Sequence, residues 1–237
     1  MRTTVPTVRV KVSGGFACWT RPESKVERVS YECMTPSAAR NILDAICWKP
    51  EMRWVVTRIL VLNPVRFQTL RRNELQDKLA PRVVGRWMAG RAPFEPQAAG
   101  AGSPACTLRS TLALRDVAYI IEAFPLVYQP TAEDTPLKYA AMFNRRVRNG
   151  QSYYQPSLGC REFAARFEAP EPGDVPFPRS APLGQMLYDI VFGNRGTHNR
   201  AIFFSARLED GVLDTDPEHV IPSAKIREEL LACSSKH

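Results

Sequence analysis

Histidine is almost missing from this chain of 237 residues: His198, His219 and His237 are the only three, and all lie in its acidic final segment. That scarcity argues against a histidine-rich metal centre, and His198, on a Gly-Asn-Arg-Gly-Thr loop, reads as a surface residue. Long apolar runs are also missing. The longest, such as Trp54 to Leu62, which Arg58 interrupts, fall well below the ~20 residues that span a bilayer. The first six residues lack the apolar segment of a secretory signal. A cytoplasmic protein without membrane contact is expected. Cysteine is present six times but never as a C-x-x-C pair, so neither structural zinc nor a disulfide framework is expected. There is no G-x-G-x-x-G after a strand, no P-loop, no H-E-x-x-H and no G-x-S-x-G. No cofactor and no metal are implied.

What is present is arginine. The chain is 44% hydrophobic and 24% charged, ordinary for a globular protein, but its formal charge is +8 and 25 of its 32 basic residues are arginine. The positive charge is unevenly placed. Nine basic residues face only Glu74 and Asp77 between Arg53 and Arg91, and six face only Glu162 between Lys138 and Arg166. From Glu168 onward eleven acids outnumber seven bases. Clustered guanidinium groups suit phosphate and stack on bases, so a polyanion is expected as partner, with nucleic acid favoured. A GC-rich genome that writes arginine for lysine would also give the ratio, but explains the clustering less well.

Local patterns give the architecture. Val8 to Val12 alternates as a half-buried strand that Gly14-Gly15 is expected to break. Thr35-Pro36 supplies a cap and a first-position proline for a helix carrying Ala38, Ala39, Ile42, Leu43 and Ile46. Arg53 to Leu62 reads as a strand, continued after Asn63-Pro64 by Val65 to Leu70. The theme recurs: Thr107 to Val117 and Tyr119 to Val127 as two strands, a helix from Leu137 to Val147 behind Thr135-Pro136, and a strand through Phe163 to Phe167. Two β-α-β units predict an α+β fold with a ferredoxin-like or RNA-recognition-like core. Arg91 to Ala105 is expected to be a loop, within an arginine-rich insertion at about 75–105. The proline-rich Glu168 to Pro182 marks a boundary, giving a core over 1–168 and a small β-rich extension over 169–237.

Three groups of residues carry a resemblance. The first runs from Phe16 to Tyr31, then Met34 to Leu43 and Trp48-Lys49-Pro50. The second is Val61 to Pro64 with Arg71-Arg72-Asn73-Glu74. The third is Met142 to Arg146, Leu158 to Phe163 and Leu183 to Asp189. In this order they resemble the Cas five family, subtype d, of type I-C CRISPR systems, over most of the chain from about Val8 to Leu213. The resemblance implies an RNA-recognition-like core and a metal-independent endoribonuclease that cuts CRISPR repeat RNA and keeps the 5′ handle of the mature guide. The RNA's own 2′-hydroxyl would attack, leaving a cyclic phosphate. It further implies the backbone and large subunits of the interference complex as partners, with duplex DNA a further candidate, and the purified chain is expected to be a monomer.

The family uses a tyrosine, a lysine and a histidine. Carried over residue by residue, the tyrosine position just before Trp-Lys-Pro holds Cys47, and the lysine-histidine pair opening the second helix reads Lys138-Tyr139. The candidate catalytic residues are thus Lys138, Tyr139 and Cys47. Each also has a plain structural reading: Cys47 as a small helix-end residue, Lys138 as a solvated first-turn residue, Tyr139 as partial core. Candidates for gripping RNA are Arg71, Arg72, Arg82, Arg86, Arg91, Arg145, Arg146 and Arg148, with Trp87 as a base-stacking platform. For Trp48 and Tyr153 burial is the favoured reading over stacking. Two alternatives stay open: a non-catalytic subunit that only holds the handle, and a general RNA- or duplex-DNA-binding module.

Overall fold

A computed structural model describes residues 6–76, 79–94, 106–192 and 199–232. His198, His237, Cys233 and most of the expected loop up to Ala105 lie outside the described residues. The elements, in chain order, are β1 (Val8–Ala17), β2 (Arg28–Val29), α1 (Pro36–Ile46), β3 (Met52–Val61), β4 (Phe67–Leu75), α2 (Pro81–Met88), β5 (Cys106–Val127), α3 (Pro136–Arg148), β6 (Arg166–Glu168), β7 (Ala181–Val191), β8 (Arg200–Glu209), β9 (Val212–Asp214), α4 (Pro217–Val220) and α5 (Ala224–Ala232). None of the described helices is long and apolar enough to cross a membrane.

The sheet runs β6-β1-β5-β3-β9-β8-β7. Its first four strands, counted in chain order as one to four, lie in the order 4-1-3-2 with α1 and α3 packed against them. This is the ferredoxin-like arrangement expected from the two β-α-β units. The helices begin where their caps direct. Thr35 Oγ1 accepts from the N–H of Ala38 at 3.3 Å, Thr135 Oγ1 accepts from the N–H of Lys138 at 3.2 Å, and a proline follows each cap. Ile42, Leu43 and Ile46 of α1 are fully buried, each worth ~2 kcal/mol of apolar transfer. Trp54 and Phe143 meet beneath the helices at 4.8 Å between ring centroids.

Two strand expectations change. Gly14 and Gly15 do not end β1, which continues to Ala17 opposite Leu114. Gly14 is there because a Cβ would stand 2.4 Å from Leu158 Cδ1; it admits a neighbouring loop, not a turn. The two strands expected around Ala118 are one continuous strand, β5, with a positive φ at Asp116. On one side of that point β5 pairs with β4, from Cys106 to Leu114; on the other it pairs with β3, from Tyr119 to Val127.

The segment after Glu168 joins the same sheet. A turn at Asp210-Gly211, both with positive φ, connects β8 to β9, and β9 pairs with β3. Asp189, 5% exposed, receives Arg40 of α1 through both carboxylate oxygens at 3.1 Å and Arg53 of β3 at 2.6 Å. This buried, charge-assisted group ties β7 to the core.

Candidate nucleic-acid interface

The first turn of α3 places Lys138 and Tyr139 on one carboxylate. Lys138 Nζ donates to Asp134 Oδ1 at 2.9 Å, and the Tyr139 hydroxyl donates to the same oxygen at 2.8 Å. Lys138 is exposed and Tyr139 is 2% exposed. Asp134 holds the Lys138 ammonium above its usual pKa, and its own pKa is lowered, first by Lys138 and then by Tyr139. Burial raises the Tyr139 phenol, and the Asp134 carboxylate raises it further. A phenol held this way does not release its proton near neutral pH. The sequence reading did not single out Asp134, although it stands four residues before Lys138, an i,i+4 spacing that signals an ion pair.

Cys47 caps the C-terminus of α1, 1% exposed, with its carbonyl accepting from Trp54 Nε1 at 2.7 Å. Burial pushes the thiol up, against Arg146, Lys49 and Arg145. Cys47 is near enough to add to the rise at Tyr139. Of the three candidate catalytic residues, Lys138 and Tyr139 thus share Asp134, Cys47 is buried at the end of α1, and Lys138 alone faces solvent.

The end of α3 lies against the end of α1. Arg146 Nη1 donates to the carbonyl of Ile46 at 2.8 Å, satisfying one of the helix's last acceptors. Arg145 and Arg148 are exposed and make no ion pair among the described residues. Beside them Trp48 is 49% exposed, Tyr153 79% and Tyr154 54%. The expectation of burial for Trp48 and Tyr153 is corrected: the chain leaves α1 in extended conformation at Cys47, and Trp54 takes the interior position. Tyr153 and Tyr154, 6.2 Å apart edge to face, are fixed by backbone bonds to the carbonyl of Ala45. Cations and exposed rings thus alternate at one end of the two core helices.

The other candidates lie elsewhere. On β4, Arg71 is exposed without an ion pair among the described residues, whereas Arg72 is bonded to Glu162. Arg72 Nε and Nη2 have no hydrogen-bond acceptor among the described residues, with Glu74 at 3.8 Å from Nη2. In α2, which buries none of its residues, Arg82 and Arg86 are exposed. Trp87 is half-buried against Phe94, edge to face at 5.2 Å. Arg91 follows α2, exposed, its N–H donating to the Arg86 carbonyl at 2.9 Å. Besides Arg72, two more members of the first basic cluster are engaged internally, Arg53 on Asp189 and Arg58 on Glu122.

Comparison with known proteins adds an independent line. The profile of a family described as CRISPR-associated protein (Cas_Cas5), subtype Cas5d, matches residues 7–216. A protein of Mannheimia succiniciproducens named CRISPR pre-crRNA endoribonuclease Cas5d is 41% identical over 219 residues, covering 89% of this chain and 95% of that one. A protein of the same name from Thermus thermophilus is 39% identical over 228 residues, covering 89% and 92%. A crystal structure of a CRISPR-associated protein superposes with a TM-score of 0.61 at 22% identity, covering 89% of this chain and 91% of that one.

Proposed function

The chain belongs to the Cas5d family of CRISPR-associated proteins, and on that premise we propose that it binds CRISPR repeat RNA and cuts it as a pre-crRNA endoribonuclease. The observation that carries this reading is 41% identity to a pre-crRNA endoribonuclease along 95% of that protein's length. In the proposed reaction the 2′-oxygen forms a bond to the scissile phosphorus, the bond to the 5′-oxygen breaks, and the products are a cyclic phosphate and a 5′-hydroxyl. The Lys138 ammonium, solvent-facing at the start of α3, is suited to stabilise negative charge on the pentavalent phosphate. Arg145, Arg148 and the exposed Trp48, Tyr153 and Tyr154 would align the strand by phosphate contact and stacking.

The test is incubation of the protein with its repeat RNA in chelator, beside a Lys138→Ala variant. A single cut ending in a cyclic phosphate, lost in the variant, supports the assignment; tight binding without a product overturns it. The second reading, a subunit that only holds the 5′ handle, is favoured by one observation: at the two family positions where this chain departs, Cys47 is buried and Tyr139 is hydrogen-bonded to Asp134. Backbone and large subunits of a type I-C interference complex, duplex DNA as a further ligand, a cytoplasmic location and a monomeric free state belong to the same proposal. A gel-filtration mass near twice the chain mass would contradict the last.

A further inference from the structure

Two buried cysteines, Cys18 at 1% and Cys160 at 5% exposure, lie where the end of β1 passes the loop that precedes β6. The N–H of Cys18 donates to the carbonyl of Leu158 at 3.0 Å. Gly159 runs so near the strand that a Cβ on it would stand 2.0 Å from the Cys18 carbonyl oxygen. This close approach brings Cys160, the residue after Gly159, alongside Cys18. Arg28 Nη1 donates to Cys160 Sγ at 3.1 Å, and Thr20 Oγ1 lies 3.5 Å from Cys18 Sγ. Cys18 and Gly159 also line a surface cavity of about 230 Å³, whose other walls include the uncharged polar side chains of Thr20, Ser37, Asn41 and Ser157.

We propose that Cys18 is a thiol-modification site that takes low-molecular-weight disulfides through this cavity, and that Cys160 resolves the adduct into an internal Cys18–Cys160 disulfide. The site does not depend on the RNA reading. Its chemistry follows from the charges around the pair. Cys160, foremost, lowers the Cys18 thiol against the cost of burial, and Thr20, Arg28 and Arg72 add to the effect. Cys18 in turn, followed by burial, pushes Cys160 up. The first proton therefore leaves the pair more readily than the second, with the Arg28 guanidinium beside it. The Cys18 thiolate attacks one sulfur of the small disulfide, forming a mixed disulfide and releasing one thiolate. Cys160 then loses its proton and attacks the Cys18 sulfur, releasing the second thiol. Two protein thiols are oxidised and one external disulfide is reduced to two thiols. The product would fasten the Ser157–Ala164 loop, and with it Glu162, the carboxylate that holds Arg72.

The experiment treats the native full chain at neutral pH with the neutral disulfide of mercaptoethanol, then denatures, alkylates remaining thiols and maps the peptides. Cys106, which is partly exposed, serves as the internal clock. The expected result is a Cys18–Cys160 cross-linked peptide, reversed by dithiothreitol and formed at least about tenfold faster than any adduct at Cys33, whose thiol burial pushes up to about 12. A Cys160→Ser variant is expected to accumulate the mercaptoethanol adduct on Cys18. Recovery of Cys18 as an alkylated free thiol after Cys106 is fully modified would overturn the proposal, and this wild-type readout decides it even if the variant fails to fold.

Discussion

Lys138 and Asp134 decide what the start of α3 can offer a phosphate. Replacing Lys138 by alanine is expected to lower single-turnover cleavage by ~10²–10³-fold, the size of effect seen when one transition-state donor is removed, while RNA affinity changes less than about tenfold. The pH dependence follows from the signs of the two shifts. Lys138 is raised, so its bond to Asp134 is fully present below the usual lysine value and is lost as pH rises through the raised one. Asp134 is lowered, so its contribution is present above the usual carboxylate value and is lost as pH falls through the lowered one. Between about pH 5 and 9 neither group titrates, and a pH–rate profile measured there should contain no inflection from this pair. Tyr139→Phe removes one hydrogen bond to Asp134 and is expected to cost ~1 kcal/mol in a denaturation midpoint and less than about tenfold in rate, because its phenol keeps its proton at neutral pH. A hundredfold loss with a shifted profile would instead make Tyr139 a proton carrier. At this scale the sequence disclosed the residue types but not their surroundings. Lys138 could be placed on a first turn from Thr135-Pro136 alone, whereas the exposure of Trp48 depends on Trp54, six residues later, having filled the core.

Helices were more legible than strands because a cap and a 3.6-residue period are local signals, and both core helices begin at their threonine-proline pairs. Strand ends depend on distant partners. In sequence Gly14 looks like a stop, yet the reason for it is Leu158, and the continuity of β5 across Asp116 depends on a change of partner from β4 to β3. The edge strand β7 escaped notice because Pro182 and Gly184 lie within it and its register to β8 shifts at two places. Glycine gives a direct test at this scale. Gly159 has φ +87 and a Cβ there would collide with the Cys18 carbonyl, so Gly159→Ala is expected to destabilise by ~2–3 kcal/mol. A melting experiment should read this as a drop of roughly 5–10 °C. Gly173→Ala, where nothing lies within 4 Å of the added carbon and φ is not positive, should leave the transition unchanged within about 0.5 kcal/mol.

For the whole molecule the question is which arginines are available to RNA, and net charge does not answer it. Arg9 and Arg58 flank the buried Glu122, Arg40 and Arg53 converge on Asp189, and Arg72 is held by Glu162. The division proposed after Glu168 is crossed both by Asp189 and by the pairing of β9 with β3, so Arg53 serves the joining of the two segments. Arg145 and Arg148 instead stand exposed without ion pairs among the described residues. Two substitutions separate these roles. Arg53→Ala is expected to lose about 3 kcal/mol of stability by leaving a buried carboxylate short of a partner, with the salt dependence of RNA binding unchanged in the folded protein. Arg145→Ala with Arg148→Ala should leave the melting transition in place and reduce the slope of log K against log salt by about 1 to 1.5, at ~0.7 per single-strand phosphate contact. A slope unmoved by the double substitution would shift the RNA path to Arg71 and to Arg82 and Arg86 of α2, which are likewise exposed without ion pairs among the described residues.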